Sequence, residues 1–213
     1  MRTFRSLLVT VALAAPLAIW PALAAEYRES FDESRDPARI MAGTLLIGND
    51  GTWIGALEDG AYSLSNSGKA GAVRYFHVDF AKRNGTDAAE RTEVAVDVAG
   101  QFEGQAAGAG LLYRFDREAR TYYAFVVMKD GAYSLWQRSA DGLRRLAGGS
   151  NAAIKPGSVN SLLARLQGGE AELYVNDTRI VGHSTGATLA GDVGIIAFDR
   201  GAYRFDNFRL SVE

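Results

Sequence analysis

Glu93 and Asp97 sit four positions apart in RTEVAVDV, and alternating side chains place both on one face of a strand. Paired carboxylates are the chemistry of glycoside hydrolysis, a nucleophile and an acid about 5–5.5 Å apart in retaining enzymes. Along a flat strand, residues four apart lie ~13 Å from each other at Cα. Glu93 and Asp97 could therefore act together only across a bulge, and the plainer expectation is a solvated polar face. The two histidines, His77 and His183, lie far apart without local metal-ligand spacing, and there is no cysteine, so a zinc site is not expected. Neither a serine-nucleophile elbow nor a phosphate-cradling loop is expected.

The binding chemistry is more concrete. Trp136 shares a strand face with Ser134 and Arg138, opposite Tyr133 and Leu135. If Tyr133 and Leu135 face a core, Trp136 and Arg138 face a groove or solvent. Tyr123 lies opposite Tyr122 and Ala124 on its strand, and Arg114 alternates with Tyr113 and Phe115. A groove lined by Trp136, Tyr123, Arg114, Arg138, Arg91 and Glu93 would suit a sugar: flat aromatic faces stack on it, and charged groups hydrogen-bond its hydroxyls. The competing expectation is that the aromatics are core or sheet-edge packing and that Arg91 and Arg114 are surface ion pairs.

The elements that must position these residues read as strands. In residues 72–80, Arg74, Phe76, Val78 and Phe80 alternate with Val73, Tyr75, His77 and Asp79; in residues 92–98, Val94, Val96 and Val98 alternate with Glu93, Ala95 and Asp97. The stretch TYYAFVVMK (residues 121–129) is apolar on both faces, as a central, doubly covered strand would be. Asp130-Gly131, Asp141-Gly142, Gly168-Gly169 and Asn176-Asp177 tolerate positive φ and suit two-residue hairpins. The Gly- and Ala-rich run AGQFEGQAAGAG reads as a flexible loop. No segment combines a helical period with caps at both ends. The string DGAYSL occurs at residues 59–64 and 130–135, with a looser copy, RGAYRF, at 200–205. The intervening segments do not match, so the repeat is recurrent turn grammar without domain duplication. The fold class is all-β, a two-sheet antiparallel sandwich of about twelve to fourteen strands.

The first 24 residues carry Arg2 and Arg5, an apolar run over residues 6–20 and small residues at Ala22 and Ala24. This is the layout of a secretory signal peptide cleaved after Ala24, and the run is short of the ~20 residues that span a bilayer. The expectation is a periplasmic or secreted protein whose mature part, residues 25–213, is one domain with no membrane insertion. Its charge of −2 for the whole chain argues against nucleic acid as partner. An exported chain without cysteine has no disulfide support and must rely on its core.

From about residue 107 onward the sequence resembles a known family. GLLYRFDREARTYYAFVVMKDGAYSLWQR, ELYVNDTRIV, GDVGIIAF and the closing FDNFRL carry the likeness, with YRESFD near the start. They resemble the concanavalin A-like lectin/glucanase sandwiches, and within these the laminin-G-like and 3-keto-disaccharide hydrolase-type domains. The resemblance implies a jelly roll of two curved sheets whose concave face often carries carbohydrate. Retaining glucanases of this fold carry Glu, Asp and Glu on one strand face; here the middle position is Ala95 and the last is Asp97. The expected function is non-catalytic recognition of a glycan. The alternatives are a glycoside-active enzyme on the same face and a laminin-G-like protein-interaction module. No required cofactor is expected; Asp32 and Asp206, near the chain ends, are the candidates to hold one structural Ca²⁺. Calcium takes six to eight oxygens, so these two would supply only part of its shell.

Overall fold

The computed structural model describes residues 25–32, 41, 45–79, 91–186 and 191–213. These contain fifteen strands in two antiparallel sheets. The first sheet contains β1 (Ala25–Glu29), β2 (Gly48–Asn49), β3 (Ile54–Glu58), β4 (Ala61–Asn66), β6 (Arg91–Phe102), β11 (Asn160–Gln167), β12 (Glu170–Val175), β13 (Thr178–Ser184) and β15 (Gly201–Val212). The second contains β5 (Val73–Val78), β7 (Gly108–Asp116), β8 (Thr121–Met128), β9 (Ala132–Ser139), β10 (Gly142–Ser150) and β14 (Asp192–Phe198). Their orders are β13-β12-β11-β6-β15-β4-β3-β2, with β1 also on β15, and β10-β9-β8-β7-β14-β5. The leader expected over residues 1–24 lies outside the described residues. No helix among the described residues is long and apolar enough to cross a membrane.

The two longest strands, β6 and β15, pair along their length in the middle of the nine-stranded sheet. On its other side β15 meets β4 with its first half and β1 with its second. The described N- and C-terminal residues thus close one ladder, Ala25 opposite Val212. Between the sheets lies one large core. Val94, Val96 and Val98 of β6 face Leu111 of β7 and Phe125 of β8, and all are essentially inaccessible to water. Tyr62 joins the layers: its ring meets Phe76 edge-on at 5.3 Å and Phe205 at 6.4 Å, and its hydroxyl donates to Leu46 O at 2.9 Å. A buried phenol needs such a partner.

The expected alternation holds on β5 and β6: Phe76, Val78 and the three valines point inward. β8 is covered on both faces as read, with Phe125 and Val127 in the main core and Ala124 and Val126 in a second apolar cluster on the outer face. The turns are more varied than the sequence suggests. Gly168-Gly169 and Asn176-Asp177 do form two-residue hairpins with positive φ. Asp141-Gly142 is displaced by one, since Ser139 pairs with Gly142 and the loop is Ala140-Asp141. Asp130-Gly131 sits in a three-residue connection, Lys129–Gly131. The repeated string therefore has three contexts: a two-residue hairpin after β3, this longer one after β8, and at Asp199–Gly201 a crossing from one sheet to the other.

The expected flexible loop over AGQFEGQAAGAG is contradicted. Most of it is strand, with only residues 103–107 connecting β6 to β7. Its glycines answer close packing: a Cβ on Gly110 would lie 2.1 Å from Phe125 O, and one on Gly100 2.9 Å from Ala202 O.

Phe125→Ala is expected to cost about 3–5 kcal/mol in urea unfolding, because the buried ring leaves a cavity between the sheets. Arg179→Ala, at an exposed ion pair with Glu172 on the outer face of β13, is expected to change stability by about 0.5 kcal/mol or less.

Candidate functional site

The six residues expected to line one groove fall in three places. Arg91 and Glu93 project from β6 on the outer face of the nine-stranded sheet, since Val94 and Val96 between them and Asp97 point inward. Trp136 and Arg138 project from β9 on the outer face of the six-stranded sheet, with Leu135 in the core. Two packed layers separate these outer faces, so a single groove holding both sets is ruled out. Tyr123 takes the inner face of β8 at the mouth of the sandwich, stacked on Tyr113 at 5.7 Å. Arg114 lies at the same end in a bulge, with φ +50° and 8% of its surface exposed.

Glu93 is engaged on its own face. It accepts from Arg91, and from Arg165 Nε at 2.9 Å, while the Arg165 guanidinium lies 4.8 Å from the Tyr174 ring centre. Asp97 accepts from Asn207 Nδ2 at 3.0 Å. β6 runs in unbroken register with β11 from Arg91 to Val98, so no bulge on that side draws Glu93 and Asp97 together. The expected polar face is what the structure shows, a cross-strand charge network. Asp206 Oδ1 accepts its neighbour Asn207 N–H. Among the described residues no three His, Cys, Asp or Glu side chains gather as a metal site.

A cleft of about 820 Å³ crosses one end of the six-stranded sheet. The register explains it. The end of β5, the start of β14, the end of β7, the start of β8 and the end of β9 lie side by side. Asp79, Asp192, Phe115, Tyr122 and Arg138 thus arrive in one row from five strands, and Tyr123, Gln137 and Thr185 close the side toward the other sheet. Arg114, Tyr123 and Arg138 of the expected groove meet here. Trp136 stands outside the cleft wall on the same outer face, two residues before Arg138, with its ring 6.1 Å from Phe198. Tyr75, Phe115 and Tyr122 form an aromatic cluster beside the cleft, with ring centres 5.1–6.4 Å apart.

Polar groups at the β5–β14 end are fixed. Arg117 NH2 meets Asp79 Oδ2 at 2.9 Å and its Nε donates to Asp192 Oδ2, which His77 Nδ1 also approaches at 2.8 Å. The bond to Asp192 holds the Arg117 guanidinium more firmly charged than usual. Asp116 accepts the backbone N–H groups of Glu118 and Ala119 and shapes the β7–β8 turn. Burial pushes the Tyr122 phenol up to about 12 and lowers the Arg114 pKa. At the side wall Gln137 Nε2 donates to Tyr123 Oη, which donates to Thr185 O.

Neither Asp192 nor Arg117 stood out in the sequence. Alternation placed His77 and Asp79 on one face, but only the pairing of β5 with β14 brings Asp192 beside them. Residues 182–186 read Gly-His-Ser-Thr-Gly, a formal Gly-x-Ser-x-Gly match that the sequence reading passed over. Its setting is not an elbow: Ser184 ends edge strand β13 opposite Glu170, whereas an elbow serine sits on a sharp strand-to-helix turn. His183 packs over Tyr123 at 4.9 Å. Its Nδ1 lies 3.1 Å from Ser184 O and its Nε2 2.7 Å from Tyr113 Oη. A carbonyl only accepts, so neutral His183 carries its proton on Nδ1 and Tyr113 donates to Nε2.

Burial lowers the His183 pKa below its usual 6.5. Protons therefore bind the unfolded chain more readily than the folded one. Stability is expected to fall as pH drops below about 6.5 toward the lowered folded value. His183→Gln is expected to flatten that part of a pH series of urea midpoints; an unchanged slope would assign the pH dependence elsewhere.

No family model and no curated protein matches the chain. Solved structures do. A carbohydrate-binding module of family 66 from Bacillus subtilis superposes with a TM-score of 0.57 at 15% identity, over 75% of this chain and 91% of that one. A protein of unknown function with a galectin-like fold from Bacillus subtilis gives 0.55 at 12% identity, over 88% and 96%. A family 7 alginate lyase, A1-II′, in complex with product gives 0.52 at 10% identity, over 78% and 85%. At these identities the likeness is one of fold, and the chain has the concanavalin A-like jelly-roll sandwich fold that its sequence resembled.

Proposed function

We propose that this chain is an exported carbohydrate-recognition module that binds a glycan in the cleft at the end of the six-stranded sheet. The observation that carries the reading is the composition of that cleft. It is large enough for a small ligand, walled by Tyr122, Tyr123 and Phe115, and supplied with arginine, carboxylate and amide groups from the ends of β5, β7, β9 and β14 and from the β7–β8 turn. Sugar rings need both features, an apolar face to rest on and directional partners for their hydroxyls. The carbohydrate-binding module among the similar folds supports the same reading. Trp136 extends the surface beyond the cleft along β9.

A second reading, catalysis on a glycan, is favoured by one observation. Arg117, Asp79, Asp192 and His77 converge at one end of the cleft, and converging ionisable groups are what an acid–base reaction needs. The test is to incubate residues 25–213 with a panel of insoluble polysaccharides and peptidoglycan and to assay the supernatant for released sugar. Retention on a glycan without release supports recognition. Release supports catalysis, with Asp192→Asn expected to abolish it. Retention on none of them would turn the search to a protein partner, as for laminin-G-like domains.

Trp136→Ala is expected to weaken retention at least tenfold while keeping a single cooperative thermal transition, lowered by its contact with Phe198. Loss of that transition would make Trp136 chiefly a packing residue, and Gln137→Ala in the cleft wall would then carry the binding test.

A further inference from the structure

The edge of the six-stranded sheet beside the cleft has an uneven distribution of charge. Trp136, half-buried, stands on the outer face of β9. Its partner across the ladder on β10 is Arg145, and Arg138 follows two positions along the same face. Both arginines are exposed, and no carboxylate among the described residues pairs with either. The nearest outer-face neighbours in register are uncharged: Ala124 beside Trp136, Tyr122 and Leu143 beside Arg138. The cleft's acids lie elsewhere. Asp79 and Asp192 are at the β5–β14 end, bound to Arg117, and Asp116 is spent on backbone amides. Glu118 is on the exposed β7–β8 turn and Asp141 on the β9–β10 turn.

Arg145 is also placed by its backbone. β10 carries a bulge between Arg145 and Ala147, and the Arg145 guanidinium lies over Gly148, where a Cβ would stand 1.9 Å from its NH2. Gly148 thus leaves the room the side chain occupies. A guanidinium seated over a glycine loses less freedom on binding than one extended into water. The surface combines one indole platform with two forked cations and no anion between them.

We infer that the glycan is acidic and that Arg138 and Arg145 bind its uronate carboxylates on either side of a sugar resting on Trp136. This rests on the glycan reading above and adds Arg145 to the site. A carboxylate meets a guanidinium through two parallel hydrogen bonds, a geometry that a hydroxyl does not offer. The acid-rich β5–β14 end of the cleft would accept hydrogen bonds from sugar hydroxyls, so the ligand has a defined polarity from carboxylate at β9–β10 to neutral sugar at β14.

The experiment measures binding of residues 25–213 to polygalacturonate, to a neutral polysaccharide such as galactan and to dextran sulfate, at low and physiological salt. Arg138→Gln, Arg145→Gln and Arg138→Lys are compared with the parent. Polygalacturonate is expected to bind at least tenfold more tightly than galactan. Each glutamine variant is expected to lose about tenfold or more toward polygalacturonate and little toward galactan. Arg138→Lys should fall between, because it keeps the charge without the fork. Unchanged melting curves for all three would show that the losses are local. Equal or tighter binding to galactan would overturn the inference and leave the glycan reading standing. Dextran sulfate bound as tightly as polygalacturonate would overturn the carboxylate assignment in favour of general charge attraction. Full retention of polygalacturonate by both glutamine variants would remove the two arginines. Binding to no saccharide would overturn the glycan reading itself.

Discussion

Strands that share one buried layer must keep the parity of their side chains. Once Val94, Val96 and Val98 are committed to the core, Glu93 and Asp97 must face away from it. Once Leu135 is committed, Trp136 must face away on the opposite side of the molecule. A shift of one residue would reverse a whole strand and expose its apolar set. At about 25 cal/mol per Å² of apolar surface, no local preference of a single polar residue competes with that. The functional surface is therefore fixed indirectly, as what remains after the core has chosen its residues.

The cleft is the place where that rule is relaxed. At the end of β7 the ladder slips against both neighbours, and Arg114 takes a positive φ. The bulge lets Leu112 and Phe115 both reach the outer-face cluster, although they are three apart. Bulges re-aim side chains in this way where strands end. A left-handed backbone costs a non-glycine residue roughly 1–2 kcal/mol, which the surrounding packing must offset. Gly191 contributes by lying close over the Arg114 backbone, where a Cβ would come within 2.9 Å.

Polar order at the mouth follows from burial. Tyr113, Tyr123, His183 and Gln137 are linked by hydrogen bonds or ring contacts between the two sheets. Burial favours the neutral form of His183, its hydrogen bonds define the tautomer, and those of Tyr123 to Gln137 and Thr185 hold that ring still. The Arg117 bridge does the same for Asp79 and Asp192 at the other end of the cleft. A preorganised wall of this kind reduces the ordering cost that a ligand would otherwise meet. It also explains why the two exposed arginines on β9 and β10 stand out: they are cations near the cleft that no carboxylate among the described residues pairs with.

Several features were legible in the sequence because they are local. Alternation identified the strands and their inward faces, and the apolar run of β8 announced a strand covered on both sides. Asn176-Asp177 and Gly168-Gly169 marked their turns, since positive φ selects few residues. Asp130-Gly131 and Arg200-Gly201 show the limit of such reading: a string and its looser copy served in a hairpin and in a crossing between sheets, because the turn residue sets the local bend but not the partner of the next strand. The glycines of residues 100–110 looked like a loop, since the backbones that crowd them belong to strands distant in sequence. The sequence alone determined the all-β class, the core-facing residues, and that Trp136 and Arg138 share a face. Strand order and register place Arg91 and Glu93 on the opposite side, bring Asp192 to His77 and Asp79, and set Arg145 beside Trp136. The physical reason is that alternation is carried by each chain segment, whereas strand order and register are set by long-range pairing that no short segment encodes.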